Sequence, residues 1–357
     1  MKTTALAILS GLLLAFSWPT YGISLLSFVG FVPLLLAEFN LRNAFTKRKN
    51  LKIFGLAYLS FFIWNIITTH WLYFSTPFGG LFAILANSLL MSLVFLIYHI
   101  IAKRVSFAGA SSFLVALWLS FEKLHLGWEF SWPWLNLGNV FATDVDFIQW
   151  YEYTGTFGGS LWVLISNFIL FKGLLLYNQQ KDKSILLRSG LRFLAVVTLP
   201  IVISYSIKPE TNTEQSIQTL SLQPNVDPYS EKYHTNNEGI ASQLIALTTP
   251  KLTDNNQLLI APETVFAEGV ELKKYNSSEA KHFSEQLLAK NEQLNILFGI
   301  SMYEILREES QVSPQSNVLR EGIWFNDYNS AVFEKKGTSH KFYHKSKLVV
   351  GVENFPY

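Results

Sequence analysis

The chain has 357 residues, of which 50% are apolar, 15% are charged and none is cysteine. Soluble domains carry about 25% charged residues, and this apolar composition excludes a disordered chain, a coiled coil and a disulfide-stapled secreted domain. The absence of cysteine also excludes disulfides, thiolate metal sites and a cysteine nucleophile within these residues.

The two parts of the chain differ in charge. Residues 1–207 contain 14 basic and 7 acidic side chains, whereas the last 150 residues contain 14 basic and 19 acidic ones. Two domains in different solvents are the simplest explanation of this difference. We therefore predict a transmembrane helical bundle at 1–207, a polar linker at 208–218 and a soluble domain at 219–357.

The first part is predicted to cross a bilayer about seven times, because a spanning helix needs roughly 20 mostly apolar residues. The first span is short and stops at Trp18 and Pro19, so we expect it to form a tight hairpin with the second. A signal peptide is the alternative for Met1–Ser17, but no small-residue cleavage site follows it. The predicted spans are Thr4–Ser17, Ile23–Glu38, Ile53–Phe74, Leu81–Ala102, Ser106–Ser120, Gly155–Tyr177 and Leu191–Ile207.

Every second connection between these spans is basic. The connections that follow the second, fourth and sixth spans carry Arg42, Lys47, Arg48, Lys49, Lys52, Lys103, Arg104, Lys181, Lys183, Arg188 and Arg192. The intervening connections carry only Lys123, beside four acidic residues. Because basic loops stay in the cytoplasm, we predict a cytoplasmic N-terminus and a periplasmic or extracellular soluble domain.

The connection Phe121–Trp150 is rich in tryptophan, with Trp128, Trp132, Trp134 and Trp150 among few charges. Indole rings favour the interface between membrane and water, which explains this composition without any further role. A lipid-facing vestibule beneath the soluble domain is the functional alternative, and the two are compatible.

The last part of the chain alternates short apolar runs with polar, helix-like stretches. This alternation predicts an α/β layered domain. Because the pattern has not closed at Tyr357, we expect the domain to be incomplete at its C-terminus. Strands are expected at Thr219–Leu222, Asn256–Ala261, Leu294–Ser301, Gly322–Phe333 and Lys341–Val350, and helices at Tyr229–Thr248 and Asn276–Asn291.

Glu263 directly follows a predicted buried strand and a proline. Its carboxylate is therefore expected at the carboxyl end of a strand, where the ligand sites of open α/β sheets gather. A partly desolvated glutamate has a raised pKa and suits general base catalysis. A solvated loop carboxylate without a role is the alternative.

A second candidate segment contains Lys345, Lys347 and Glu353. On a strand, two lysines separated by two positions share one face. A lysine can stabilise an oxyanion, and Glu353 could orient it. The alternative is an exposed basic strand edge.

The sequence gives no sign of a metal or a cofactor. The seven histidines show no metal-ligand spacing, and there is no Walker-type phosphate loop or GxSxG motif. We expect no cofactor, no metal site and no nucleic acid partner.

Eight short motifs follow one another along the chain. Four lie in the membrane part: Phe16–Pro19, Val32–Leu35, Trp132–Gly138 and Gln149–Asn167. Four lie in the soluble part: Leu222–Asn225, Ala261–Thr264, Tyr328–Ala331 and Tyr343–Val349, the last followed by Glu353. In this order they resemble the bacterial apolipoprotein N-acyltransferases, which are membrane-anchored members of the nitrilase superfamily.

The resemblance implies a multi-pass inner-membrane enzyme with a nitrilase-like αββα sandwich domain in the periplasm. Such enzymes move an acyl chain from a phospholipid to a cysteine thiol as a thioester. They then pass it to the α-amino group of the diacylglyceryl-cysteine at the N-terminus of an apolipoprotein. By position, Glu263 would be the general base, Lys345 the oxyanion stabiliser and Glu353 a supporting carboxylate. The implied partners are these two lipid substrates, and we expect a monomer.

Two departures from the family pattern matter. The nucleophilic cysteine of the family lies downstream of its lysine segment, so we expect an N-terminal portion that lacks the nucleophile and is inactive alone. The family often carries a tryptophan shortly after its first nitrilase-like strand, and here that substrate contact would fall to Tyr229 or Tyr233. The sequence also leaves open whether Lys347 shares the role of Lys345.

Two functions from other classes are the alternatives. A membrane-anchored lipopeptide-binding protein with a degenerate nitrilase-like domain would bind its ligand without turnover. A transporter is disfavoured, because the polar residues inside the spans are few and unpaired by sequence and suit helix–helix contacts. They include Asn65, Thr68, Thr69 and His70.

Overall fold

The computed structural model describes residues 2–19, 21–209, 216–227, 231–232, 234–313 and 316–349. These residues form two compact units, a helical unit before residue 211 and a mixed α/β unit that ends at residue 349. Each unit has its own core of buried apolar side chains.

Seven helices of 14 residues or more make up the described part of the helical unit. Six are long and apolar enough to cross a membrane, and the first is shorter. The predicted membrane bundle of about seven helices is thus confirmed. The helices are α1 (Thr3–Phe16), α2 (Ser24–Asn43), α3 (Lys49–Thr69), α4 (Pro77–Ala102), α5 (Phe107–Gly127), α6 (Tyr151–Gln180) and α7 (Lys183–Ile207).

Several helices extend beyond the predicted apolar spans. Helix α3 begins at Lys49 instead of Ile53, and α5 continues to Gly127 instead of ending at Ser120. Hydropathy marks only the part of a helix that lies in hydrocarbon, whereas the i to i−4 hydrogen bonds continue into the polar layer. The predicted third span was also too long at its other end, where Leu72–Ser75 forms a separate helical turn.

A buried asparagine connects α2 to α6. Helix α2 is interrupted at Phe31, two residues before Pro33. The Phe31 N–H donates to Oδ1 of Asn167 at 2.8 Å, and the Asn167 amide donates to the Ser27 carbonyl at 2.8 Å. Asn167 is fully buried, so it pairs with backbone groups that the interruption would otherwise leave unsatisfied.

Glu122 fastens the tryptophan-rich connection to α5. Its Oε1 accepts the N–H of Leu137 at 2.7 Å and the indole N–H of Trp118 at 3.1 Å. The next residue, Gly138, donates its N–H to the Ser160 hydroxyl of α6 at 2.9 Å. The buried carboxylate therefore has a structural explanation, because it pairs with donors that water cannot reach.

The same connection forms one wall of a cavity of about 530 Å³ at the end of α3. Trp134 and Trp71 line it and contact each other edge to face, with ring centroids 5.4 Å apart. Both rings are about half exposed. An interfacial tryptophan belt and a lipid-facing vestibule each fit this arrangement.

The α/β unit contains a seven-stranded mixed sheet within its described residues. The strand order is β1–β2–β4–β6–β5, with β3 paired to β4 and β7 paired to β6. Pairings among β1 to β4 are parallel, and those of β6 with β4, β5 and β7 are antiparallel. The strands are β1 (Thr219–Ser221), β2 (Leu258–Ile260), β3 (Phe266–Glu271), β4 (Asn295–Leu306), β5 (Asn317–Arg320), β6 (Ile323–Lys335) and β7 (Lys341–His344).

Two helices cover the sheet, α8 (Asn237–Thr248) and α9 (Glu279–Lys290). Asn236 and Ser278 cap them, because each side chain accepts an N–H from the first turn. Their apolar sides join the sheet in one core. The predicted α/β layered class is thus confirmed, as one sheet with a helix layer.

The structure adds two strands to the predicted elements and shortens one predicted helix. The alternation of strands and helices stops after β4, and the strands that follow pair antiparallel because no helical crossover separates them. Strands β3 and β5 were not predicted, since β3 is half polar and β5 is exposed along its whole length. The predicted helix Tyr229–Thr248 begins only at Asn237.

Candidate active site

The segment that carries the predicted general base continues the parallel part of the sheet. Ala261 follows β2 and donates its N–H to the Leu297 carbonyl of β4 at 2.9 Å. Two residues further along β4, the Gly299 N–H donates to the Pro262 carbonyl at 3.1 Å. Glu263 therefore lies just beyond the carboxyl end of β2, at the sheet edge where α/β sites usually form.

A glycine allows this segment to lie directly on β4. A side chain at Gly299 would place its Cβ 2.3 Å from the Thr264 nitrogen and 2.6 Å from the Glu263 Cα. Both are backbone atoms, so no side-chain movement relieves the collision. Thr264 itself has a φ of 46°, in the left-handed region that non-glycine residues rarely adopt. Strained backbone of this kind gathers at functional sites.

Glu263 is held by groups from the antiparallel part of the sheet. Its Oε1 accepts a hydrogen bond from the Asn329 side-chain amide at 2.5 Å. The same oxygen lies 3.0 Å from Nζ of Lys345. The Lys345 N–H donates to the Asn329 carbonyl at 2.8 Å, one position beyond the end of β7. The structure thus brings together two of the predicted site residues, although 82 positions separate them in the sequence.

Lys345 and Lys347 do not share the face of a strand. Strand β7 ends at His344, and Lys347 lies in an exposed bend. The prediction that both lysines lie on one strand face was therefore wrong, because β7 ends before either of them. Lys345 reaches Glu263 through its position directly after the last strand pair, Ser330 with His344.

His344 fixes the end of β7 beside Lys345. Its ring stacks on Tyr328 with centroids 4.4 Å apart, and its Nδ1 lies 2.7 Å from the Ser330 hydroxyl. Burial lowers the pKa of His344, partly offset by the charge of Glu304. The neutral ring is therefore favoured, which suits stacking and a hydrogen bond to a hydroxyl.

The expected desolvation of Glu263 is not provided by the residues that the structure describes. Its side chain is 64% exposed, whereas that of Lys345 is 29% exposed. A second carboxylate–lysine pair in the same unit, Glu292 with Lys336, is similarly open at 71% and 47%. The Glu263 pair differs from it by the Asn329 hydrogen bond and by its place at the end of a parallel strand.

A second lysine, Lys232, contacts this segment. Nζ of Lys232 donates a hydrogen bond to the Thr264 hydroxyl. Burial lowers the pKa of Lys232, and the nearby charge of Glu263 opposes that shift. Lys232 thus contacts the residue next to Glu263 and interacts electrostatically with Glu263 itself.

Three of the predicted site residues, Tyr229, Tyr233 and Glu353, lie outside the described residues. Among the residues that are described, no group of three or more metal-ligating side chains is close enough to hold an ion. The described part of the site contains one carboxylate, Glu263, and two ammonium groups, those of Lys345 and Lys232.

This arrangement suits acid–base chemistry on a neutral acyl compound. An exposed carboxylate can accept a proton from a nucleophile that reaches it. An ammonium group beside it can stabilise the negative charge that develops on a carbonyl oxygen. Attack on an acyl carbon needs both, because the nucleophile loses a proton while the carbonyl oxygen gains charge.

Comparison with known proteins indicates which family the chain resembles. Residues 10–169 match the model of the apolipoprotein N-acyltransferase N-terminal domain. The whole chain aligns, at 25% identity, with 66% of the apolipoprotein N-acyltransferase of Chlorobaculum tepidum. The resemblance to the apolipoprotein N-acyltransferases is confirmed. A second relative with this name, from Geobacter metallireducens, is 31% identical over 47% of this chain and 32% of its own length.

The chain spans about two thirds of the Chlorobaculum protein and about one third of the Geobacter protein. The residues that match the apolipoprotein N-acyltransferase N-terminal domain, 10–169, cover most of the helical unit, and six helices of that unit are long and apolar enough to cross a membrane. The chain is therefore a multi-pass membrane protein. The Glu263 and Lys345 segments lie outside that domain, in the part aligned with the Chlorobaculum N-acyltransferase.

Sequence reasoning missed three residues of this candidate site. Asn329 belongs to a motif that was noticed, but its register opposite Ser301 of β4 appears only in the folded sheet. Gly299 lies in a predicted strand, where an isolated glycine often marks a close approach of backbone. Lys232 lies in the segment after β1, and no local sequence pattern relates it to Glu263.

Proposed function

We propose that this chain carries the base and the cation of an apolipoprotein N-acyltransferase. The observation that carries the proposal is the 3.0 Å contact between Glu263 and Lys345 at the end of a parallel strand, in a chain that resembles this family. The acyl donor is a phospholipid, and the acceptor is an apolipoprotein with an N-terminal diacylglyceryl-cysteine.

In the first step, Glu263 takes the proton of a cysteine thiol. The sulfur attacks the ester carbonyl of the phospholipid, and the Lys345 ammonium stabilises the oxyanion. A carbon–sulfur bond forms, the carbon–oxygen ester bond breaks, and Glu263 returns the proton to the leaving glycerol oxygen. Since these 357 residues contain no cysteine, the thiol of this mechanism is not among them.

In the second step, the α-amino group of the acceptor attacks the thioester. Glu263 removes a proton from the amine, and Lys345 again stabilises the oxyanion. A carbon–nitrogen bond forms, the carbon–sulfur bond breaks, and the proton passes to the sulfur. One pair of groups therefore serves both steps, because each one adds a nucleophile that carries a proton to an acyl carbonyl.

Further residues complete the proposed site. Lys232 and Gly299 hold the backbone on which Glu263 stands, through the Thr264 hydroxyl and through close packing. Glu353 is proposed as a supporting carboxylate, and Tyr229 or Tyr233 as a contact to the lipid substrate.

The proposed location is the bacterial inner membrane, with a cytoplasmic N-terminus, a periplasmic α/β unit and a monomeric protein. The connections between the observed helices support this orientation, because basic residues concentrate before α3, before α5 and before α7. The connections on the other side carry Glu129, Asp144 and Asp146.

The proposal is tested by mass spectrometry of a diacylated lipopeptide incubated with phospholipid vesicles and purified protein. The 357-residue chain should yield no triacylated product, whereas protein from the complete reading frame should yield it. Product from the 357-residue chain at a rate above background would overturn the proposed use of a cysteine.

The same assay separates the proposal from a lipopeptide-binding protein. Such a protein would bind the diacylated lipopeptide but give no product, even when it is expressed from the complete reading frame. Binding is measured in parallel with a fluorescent lipopeptide in detergent. Binding without turnover would refute the proposed enzymatic function.

A further inference from the structure

A groove of about 480 Å³ runs between α5 and α6. Helix α5 contributes Ser112 and Ala116, and α6 contributes Leu161 and Ile165. All four side chains are exposed, so the groove is open to the surroundings of the helical unit. Because α5 and α6 are both long and apolar enough to cross a membrane, those surroundings are lipid.

The groove is about as long as one leaflet is thick. On α5 its lining extends from Phe107 to Leu119, and on α6 from Leu161 to Lys172. At 1.5 Å per residue, these stretches measure about 16–18 Å. One leaflet contributes about half of the roughly 30 Å hydrocarbon layer. The groove therefore fits a single acyl chain from one leaflet, lying along the two helices.

A single charged residue, Lys172, lines the groove, and it lies at the Phe107 end. Its Nζ is 5.7 Å from the centre of the Phe107 ring, which packs against Phe168 and Phe171. None of the ion pairs that join described residues includes Lys172. The ammonium group is thus held at one end of the groove without a carboxylate from the described chain.

The position of Lys172 along α6 matches the edge of the hydrocarbon. Helix α6 is kinked at Gly155, and its continuous part, residues 156–180, is about 38 Å long, which exceeds the roughly 30 Å that hydrocarbon requires. Lys172 precedes its end by eight residues, or about 12 Å. Two more cations, Lys103 and Arg104, lie exposed just before α5 at the same end of the groove. This end is therefore positively charged where lipid headgroups begin.

We propose that the groove between α5 and α6 binds one anionic phospholipid, whose acyl chain lies along the groove and whose phosphate contacts Lys172. The bound lipid is a resident one and is not consumed. The inference does not depend on acyl transfer, because it uses only the helical unit and its membrane setting. Basic pockets between membrane helices bind anionic headgroups in this way.

Native mass spectrometry of the purified chain in detergent tests the proposal. The chain is titrated with phosphatidylglycerol and, separately, with zwitterionic phosphatidylethanolamine. We expect one tight phosphatidylglycerol site and weaker phosphatidylethanolamine binding. Lys172→Gln should weaken the first phosphatidylglycerol about fivefold, and Ala116→Phe, which fills the groove, should remove the tight site.

Two matched variants control for the loss of a positive charge and for the added volume of a side chain. Lys183→Gln removes an exposed cation at the start of α7, and Ala108→Phe adds the same ring to α5 outside the groove lining. Both should change phosphatidylglycerol affinity less than twofold. Equal effects of Lys172→Gln and Lys183→Gln, or an unchanged first site in Ala116→Phe, would overturn the proposal in favour of non-specific annular lipid. Thermal unfolding of each variant verifies that the helical unit is folded.

Discussion

Carboxylates have different surroundings in the two units of this protein. In the helical unit, Glu38 and Glu122 are almost completely buried, and each pairs with donors from other parts of the bundle. Glu38 Oε1 lies 2.6 Å from Nδ1 of His99, and Glu122 accepts a backbone N–H and an indole N–H. In the α/β unit, Glu263 stands at the end of a strand with 64% of its side chain exposed.

The difference shows how burial decides what a carboxylate does. A buried carboxylate that accepts hydrogen bonds from such donors fixes helices and loops, and its removal leaves those donors without partners. An exposed one contributes little to stability, but a substrate can reach it. We therefore expect substitutions in the helical unit to change mainly stability, and substitutions at the Glu263 site to change mainly activity.

The largest expected effect is that of Glu263→Gln. Loss of the general base should lower acyl transfer by about 10²–10⁴-fold in protein from the complete reading frame, measured by formation of triacylated lipopeptide. The melting temperature should hardly change, because an exposed ion pair contributes only about 0–1 kcal/mol. Glu292→Gln removes the carboxylate of the matched exposed pair and should leave activity unchanged. Equal activity of the two variants would contradict the proposed base.

Lys345→Met should have the next largest effect. Loss of the cation beside the reacting carbonyl should lower the rate by about 10²–10³-fold, as for other oxyanion-stabilising donors. The same triacylation assay measures it, with Lys336→Met as the matched variant from the other exposed pair. If Lys345→Met lost no more activity than Lys336→Met, the oxyanion role would be refuted.

Glu122→Ala should lower the stability of the helical unit, and it therefore tests the role of a buried carboxylate. It leaves the Leu137 N–H and the Trp118 indole N–H buried without an acceptor, which should cost about 2–4 kcal/mol. Glu122→Gln keeps one acceptor oxygen and should lower the free energy of unfolding by less. Thermal unfolding in detergent measures both. Glu152→Ala, at an exposed position of α6, is the control, and a loss as large as that of Glu122→Ala would contradict the argument.

The smallest expected effect concerns the protonation of Lys232. Because burial lowers the pKa of Lys232, its amine should react with an acylating reagent at a lower pH than an ordinary lysine amine does. The Glu263 charge opposes this shift, so Glu263→Gln should move the half-maximal pH for Lys232 further down, whereas Glu292→Gln should not. Peptide mass spectrometry across a pH series measures the acylation of Lys232 in both variants. An unchanged half-maximal pH in Glu263→Gln would contradict the interaction between Lys232 and Glu263.

Much of the fold could be predicted because its signals are local. Long apolar runs locate the helices of the bundle, and β2 and β4 lie where Asn256–Ala261 and Leu294–Ser301 predicted strands. The pairing of β4 with β6 could not be predicted in this way. It depends on which strands meet, and β6 joins β4 through a register that no local pattern specifies.

The candidate site, like the fold, could be predicted only in part from the sequence. Glu263 and Lys345 were predicted from short motifs, and their roles stay proposals. Asn329, Gly299 and Lys232 were missed, because each acts through a contact with a residue distant in the sequence. The expected desolvation of Glu263 was also not found, since neighbours that are distant in sequence set the exposure of a side chain.

The sequence by itself determined that apolar helices precede an α/β unit, that the connections alternate in charge, and that a glutamate follows a strand. These properties follow from composition and local periodicity, which act over a few residues. Only the tertiary structure decided that Glu263, Asn329 and Lys345 meet on one carboxylate oxygen, and that Lys172 lies at the end of a groove. Such contacts depend on how strands pair and helices pack, and packing joins residues that the chain keeps far apart.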